Sequence, residues 1–148
     1  MTDMTKAQYA KSLFMSGFNC SQSVVAAFAD EMGMDKAFVA QLTIGFGGGV
    51  GRMREVCGTV TGMTFVISAL YKEDKGSIYA RVQEVAEEFK KENGSIVCRE
   101  LLGLDIKGAD SPVPEKRTQQ YYQKRPCAEL VEMAADILDN YLKSHPYK

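Results

Sequence analysis

The segment that most limits the possible folds runs from Cys57 to Tyr71, directly after a run of glycines. At helical spacing its apolar side chains fall on every side of the helix rather than on one face. They are Val60, Met63, Phe65, Val66, Ile67 and Leu70. A helix that is apolar all round must be covered by other elements. The stretch therefore predicts a buried central helix with further helices packed around it.

Further helices are predicted on both sides of this segment. Apolar residues recur at helical spacing, and Asn19, Asp35 and Pro126 suit helix starts. The predicted helices cover residues 5–16, 20–32, 35–42, 57–71, 77–92 and 126–141, with a short helical piece at 98–102. No two segments show the alternation expected of paired strands. The sequence predicts one all-α domain over residues 1–148. We expect a bundle of about five to six helices with a glycine-rich loop and a long irregular loop at 105–124.

The charge balance and the start of the chain limit the partners and the compartment. With 18 basic and 19 acidic residues, the chain has no overall field that would attract nucleic acid or an anionic membrane. The first residues show no secretory signal, and the longest apolar stretch, Val60–Leu70, is shorter than the roughly 20 residues that span a bilayer. We therefore expect a cytoplasmic protein with no membrane insertion. The two-sided helix at 77–92 permits a homodimer.

Four single cysteines carry the chemistry that the sequence suggests: Cys20, Cys57, Cys98 and Cys127. Each lies where a loop is predicted to meet the start of a helix. First-turn N–H groups and the helix dipole favour the thiolate, which is the reactive and metal-binding form. Basic residues flank three of the four, including Arg52 and Arg54 before Cys57. In a reducing compartment such thiols are typical of redox or metal sites rather than of structural disulfides.

Three hypotheses follow from these cysteines. In the first, Cys57 attacks a disulfide or oxidant supplied by an unknown redox partner, and Cys20 resolves the intermediate, with Cys98 and Cys127 as further candidate catalytic thiols. In the second, the same four thiolates hold a metal, as an iron–sulfur cluster or zinc. In the third, the cysteines are buried as small apolar side chains in a non-catalytic helical adaptor or sensor.

The glycine run from Gly45 to Gly51 is the second candidate site. It matches neither glycine-rich nucleotide-binding pattern, and no predicted strand precedes it. Its N–H groups can instead donate to a bound sulfur species or another small anion, or its backbone can approach Cys57 closely. A plain turn between helices is the alternative. The residues predicted to bind a cofactor or anion are Gly47, Gly48, Gly49, Gly51, Arg52 and Gly58.

The order of these motifs resembles a known family. G-F-N-C-S-Q-S-V at residues 17–24, the glycine run, C-G-T-V-T-G at 57–62 and the single Cys98 and Cys127 resemble the bacterial redox-active proteins with the C, GCAxxG, C, C cysteine pattern. Thr59 stands where that pattern has alanine, which adds a hydroxyl group near Cys57. The resemblance implies a redox role for the cysteines and, since family members are often encoded near transporters, a transporter as the partner in the adaptor hypothesis. It implies no particular substrate.

Overall fold

The computed structural model describes residues 4–148, and within them the chain is all-α, as predicted. Residues 1–3, which belong to the predicted domain and to the segment considered for a secretory signal, lie outside the described residues. The helices are α1 (Lys6–Met15), α2 (Cys20–Ala27), α3 (Ala29–Met32), α4 (Lys36–Thr43), α5 (Gly58–Tyr71), α6 (Lys75–Asn93), α7 (Cys98–Leu101), α8 (Gln119–Lys124) and α9 (Cys127–Ser144).

The number of helices in residues 4–148 is nine, so the prediction of five to six was too low. The predicted helix at 20–32 is two helices, because Phe28 leaves helical geometry with φ −108° and ψ 15°. Its ring is fully buried, so core packing outweighs the continuous helical pattern of the sequence at this point. The short helix α8 also lies inside the segment that was predicted to be irregular.

Local capping explains where several helices begin. The Asn19 side chain accepts from the N–H of Gln22, and the Gln22 side chain accepts from the N–H of Asn19, which is a complete capping box. Asp35 accepts from the N–H of Phe38 in the same way. The predicted starts at Asn19 and Asp35 are therefore confirmed. The first of these caps fixes the position of Cys20, the first residue of α2.

The core forms around α5, as predicted, although one side of this helix is not covered: Thr64 and Phe65 are half-buried and Ser68 is exposed. Met63, Val66 and Ile67 are fully buried, and α5 packs against α2, α6 and α9. Two glycines on α5, Gly58 and Gly62, face α2 and allow it to approach closely. No helix found between residues 4 and 148 combines the length and the apolar character that crossing a membrane requires.

Residues 4–148 contain no strand, but one antiparallel bridge pairs Val56 with Val97. The N–H of Cys57 donates to Ile96 O at 2.8 Å, and the N–H of Cys98 donates to Glu55 O at 2.6 Å. The bridge thereby brings the starts of α5 and α7 side by side, although they are far apart in sequence.

The segment from Gly103 to Thr118 is irregular, as predicted, but it is fastened to the bundle rather than loosely extended. Asp110 accepts from Arg52 and Arg54. At its other end, Arg117 donates to the carbonyl groups of Phe14 and Phe18. These bonds hold the segment across the glycine run and the start of α2. We call residues 103–118 the strap.

Candidate functional site

One cavity of about 350 Å³ lies where the helix starts, the glycine run and the strap meet. All four cysteines line it, as do the six residues predicted to bind a cofactor or anion: Gly47, Gly48, Gly49, Gly51, Arg52 and Gly58. The cavity therefore brings together both of the sites that the sequence predicts.

Each cysteine occupies the start of a helix, as predicted. Cys20, Cys98 and Cys127 are the first residues of α2, α7 and α9, and Cys57 is the N-cap of α5. Cys20 is half-buried and the other three are buried. All four carry free thiols. The four helix starts thus point four thiols at a single cavity, although the sequence spaces them widely.

Cys20 and Cys127 form the most closely coupled pair of thiols. The neighbouring Cys20 thiol is the largest influence on Cys127 and lowers its pKa, and the charges of Arg125, Arg54 and Arg117 act in the same direction. Cys127 in turn raises the pKa of Cys20 well above its usual value, with burial adding to the effect. The pair therefore favours a thiolate on Cys127 and a protonated thiol on Cys20.

Cys57 and Cys98 are held protonated by burial. Burial raises the pKa of Cys57 to about 11, although a hydrogen bond to Thr59 Oγ1, 3.0 Å from the sulfur, partly opposes this. Burial also raises the pKa of Cys98, against the effect of Arg54. The expected bias of every helix-terminal thiol toward thiolate therefore fails for Cys20, Cys57 and Cys98. Removal of the charge from water outweighs the helix dipole at Cys57 and Cys98, whereas at Cys20 the neighbouring Cys127 is the larger influence.

Arg54 links a thiol to the strap. The residue is 5 % exposed, and its guanidinium group donates to Cys98 Sγ at 3.6 Å and to Asp110 Oδ2 at 2.9 Å. Arg52 donates to the same Asp110 oxygen at 3.2 Å and to Ser111 O at 2.6 Å. These bonds lower the pKa of Asp110, with the bond from Arg54 as the largest cause. One carboxylate thus balances two arginines at the edge of the cavity.

The glycine run winds in the left-handed sense. Residues 48–52 all have φ between 55° and 70°, and Val50 and Arg52 adopt this conformation at a cost of roughly 1–2 kcal/mol each. At Gly49 a Cβ atom would lie 2.6 Å from Glu55 N and 2.7 Å from Cys98 Cβ. Glycine at this position therefore lets the loop backbone approach Cys98, whereas the sequence suggests such an approach to Cys57.

Gly58 performs the corresponding role at Cys20. A Cβ atom on Gly58 would lie 3.2 Å from Cys20 Cβ and 3.0 Å from Ser21 N. The second glycine of the C-G-T-V-T-G motif, Gly62, packs against Val24 one turn later. These two glycines set the distance between α2 and α5, and hence between Cys20 and Cys57.

The family comparison bears on this arrangement of glycines and thiols. The model of the family described as "Putative redox-active protein (C_GCAxxG_C_C)" matches residues 18–141. The chain belongs to this family. The match includes all four cysteines and the glycine run, so the resemblance seen in the sequence is confirmed. Neither the curated proteins nor the solved structures contain a match to the chain. As a member of this family, the chain is a redox-related cysteine protein.

The sequence reasoning missed the cavity residues that the strap and α8 supply to this family member. They are Pro112, Pro114, Glu115, Arg117 and Tyr121. Tyr121 lines the cavity, while Tyr122 packs edge-on against Phe14. The strap lacks periodicity, so no local pattern shows where it folds. A signal was available in Arg52 and Arg54, since two arginines two positions apart, next to a predicted buried helix, need a carboxylate partner.

The side chains as they stand do not form a metal-binding group. Across residues 4–148, no three or more His, Cys, Asp or Glu side chains lie close enough together to hold a metal ion. The four sulfurs share a cavity, but a tetrathiolate centre would require them to move together. The geometry therefore favours a pair of thiols over four metal ligands.

The adaptor hypothesis meets mixed evidence. It predicts ordinary thiol pKa values, whereas those of the four cysteines are shifted in both directions. It also predicts exposed apolar surface, and α4 with the following turn exposes Phe38, Leu42, Ile44 and Phe46. The shifted thiols make plain packing a poor account of the cysteines.

Proposed function

We propose that the chain carries out thiol–disulfide exchange, with Cys20 and Cys127 as the redox-active dithiol. The observation that carries the proposal is that both thiols line the shared cavity at helix starts, where their influence on each other shifts the two pKa values in opposite directions. An attacking thiol must be deprotonated, and a resolving thiol must lie within reach of it. The coupled pair supplies both. A cytoplasmic location, where both thiols stay reduced between turnovers, forms part of the same proposal.

We assign the attacking role to Cys127, in contrast to the assignment of Cys57 from the sequence. Cys127 is the thiol with the lowered pKa, and three arginines support its negative charge. Cys57, with a pKa raised to about 11, is almost entirely protonated near neutral pH. Cys20 keeps the resolving role that the sequence predicts for it.

The exchange proceeds in two displacements. The Cys127 thiolate attacks one sulfur of a disulfide RS–SR′, which forms a bond from Cys127 to the RS sulfur and releases R′S⁻. The Cys20 thiol then passes its proton to that leaving group and attacks the Cys127 sulfur, so that RS⁻ leaves. The products are a Cys20–Cys127 disulfide and two reduced thiols, and an external thiol reverses the steps.

Cys57 and Cys98 are candidates for a second dithiol that passes electrons to the first. The bridge between Val56 and Val97 sets the two residues side by side. Both are protonated in the reduced protein, so they would respond only after the first pair is oxidised.

Peptide mapping after mild oxidation tests the proposal. Reduced protein is treated with a small disulfide, remaining thiols are alkylated, and the cross-linked peptides are identified by mass spectrometry. We expect a Cys20–Cys127 cross-link in the wild type. In Cys20→Ser we expect a mixed disulfide that accumulates on Cys127, because no resolving thiol remains. Cys57→Ser is the matched control and should still form the Cys20–Cys127 cross-link.

Two results would contradict the assignment. One is a first cross-link that joins Cys57 to another cysteine while Cys20 and Cys127 remain reduced. The other is stoichiometric iron or zinc in protein purified without oxygen, lost in each of the four Cys→Ser variants. The second result would replace thiol exchange with the metal-site alternative.

A further inference from the structure

We propose that the disulfide taken into this cavity is a small anionic molecule, one whose sulfurs sit between carboxylate-bearing groups. The inference rests on the proposed thiol exchange and adds the class of its substrate. It depends on the charges, the free donors and the size of the cavity, which are independent of one another.

The charges around the cavity are unbalanced. Four guanidinium groups line it, those of Arg52, Arg54, Arg117 and Arg125. Only two carboxylates pair with them in the described part of the chain. Asp110 forms ion pairs with both Arg52 and Arg54, and Glu115 Oε1 lies 2.5 Å from Arg125 Nη2. With the proposed Cys127 thiolate also counted, one positive charge remains in surplus within a partly enclosed space, where screening by water and salt is weaker than at the surface.

Arg117 is the source of much of this surplus. Its guanidinium group donates to Phe14 O and, at 2.7 Å, to Phe18 O, and it lies 4.0 Å from the centre of the Phe14 ring. None of the carboxylates in residues 4–148 lies within ion-pair distance of it. Carbonyl groups and an aromatic ring orient a guanidinium group without neutralising it. Arg117 therefore offers a fixed positive charge to an occupant of the cavity.

The glycine run adds donors that the chain itself does not use. The N–H groups of Gly48 and Gly49 have no acceptor among residues 4–148, whereas those of Val50, Gly51 and Arg52 all donate within the loop. Successive N–H groups in a left-handed turn are suited to an anionic oxygen. The free donors therefore favour an anionic ligand, as the arginines do.

The size and lining of the cavity favour a small molecule over a protein loop. Its volume of about 350 Å³ is near the lower end of the range for small-molecule sites, about 300–1,000 Å³. Phe14, Leu101, Leu102 and Leu130 form apolar walls that suit the hydrocarbon and sulfur atoms of a ligand. An apolar middle with charged ends is the pattern of an aliphatic disulfide that carries carboxylates.

Three symmetric disulfides of similar length test the proposal: dithiodipropionate, which is dianionic, hydroxyethyl disulfide, which is neutral, and cystamine, which is dicationic. The second-order rate of oxidation of the reduced protein is measured for each and divided by the rate for a free small thiol. This ratio removes differences in intrinsic reactivity. We expect the dianion to react about tenfold faster than the neutral compound, and the dication slower, with the preference shrinking as salt is added.

Variants of Arg117 connect the preference to the cavity. Arg117→Gln should remove most of the preference for the dianion, and Arg117→Lys should retain most of it because the charge remains. Arg81→Gln is the matched control, since Arg81 pairs with Glu73 and does not line the cavity. Equal normalised rates for the three compounds, or a preference unchanged in Arg117→Gln, would overturn the anionic class while leaving thiol exchange in place. A lack of reaction with all three compounds would instead count against the exchange itself.

Discussion

Replacement of Gly58 by alanine offers a direct test of how the chain positions Cys20 against α5. Gly58 is the first residue of α5, and an added Cβ would lie 3.0 Å from Ser21 N, 3.1 Å from Phe46 O and 3.2 Å from Cys20 Cβ. Two of these neighbours are backbone atoms, which cannot rotate away. The neighbours must therefore give way by a few tenths of an ångström, which strains the contact between α2 and α5.

The expected cost follows from two opposing effects. Overpacking of this kind destabilises proteins by about 1–3 kcal/mol. Alanine recovers up to about 1 kcal/mol relative to glycine inside a helix, and less at its first residue. We therefore expect Gly58→Ala to lower the free energy of unfolding by about 1–2 kcal/mol, or the melting temperature by about 2–8 °C for a chain of this size.

Urea unfolding of the reduced protein, followed by circular dichroism, measures this loss. Gly76→Ala is the matched control, because Gly76 lies in the first turn of α6 and an added Cβ there meets only Asp74 Oδ2 at 3.5 Å. That variant should be neutral or slightly more stable than the wild type. If Gly58→Ala proves as stable as Gly76→Ala, the two helices are not held in contact through Gly58, and the explanation of the motif glycine fails.

Three further outcomes are expected. Alkylation of Cys127 should reach half of its maximal rate below pH 9, because its pKa is lowered, whereas Cys57 should require a pH near 11; the reverse order by peptide mass spectrometry would contradict the cavity electrostatics. Thr59→Ala should raise the pKa of Cys57 further, since the lost hydroxyl group stabilises its thiolate, while Thr61→Ala should leave it unchanged because Thr61 donates to a carbonyl group instead. Asp110→Asn should lower the free energy of unfolding at pH 7. The pKa of Asp110 is lowered in the folded state, so its carboxylate adds to the free energy of unfolding above its ordinary pKa of 3.8, and this addition is lost as the pH falls through the lowered pKa. At acid pH, urea unfolding should therefore give similar stabilities for the variant and the wild type.

The parts of the fold that local chemistry determines could be predicted from the sequence. Asn19 and Asp35 cap helices through their own side chains within three residues, and the apolar residues of α5 recur at helical spacing. These features require no knowledge of distant residues. The placement of the four cysteines at helix starts follows from the same local rules.

The features that the sequence does not predict depend on tertiary packing. The break at Phe28 arises because its ring is fully buried, and no local breaker residue marks it. The strap closes over the cavity through ion pairs of Asp110 with residues more than 50 positions earlier. The balance between helix dipole and burial at Cys57 likewise depends on which elements surround the thiol, and here burial prevails.

Under the proposed exchange, the pairing of α2 and α9 would also couple redox state to folding. Cys20 and Cys127 are separated by more than a hundred residues, so a disulfide between them would close most of the chain into a ring. In the chain-entropy model, such a cross-link restricts the unfolded ensemble by about 4–5 kcal/mol at 25 °C. By thermodynamic linkage, the folded chain favours formation of this disulfide by the same amount relative to the unfolded chain. An unfolded copy would therefore be a poor electron donor through this pair, and oxidation would make the protein harder to unfold.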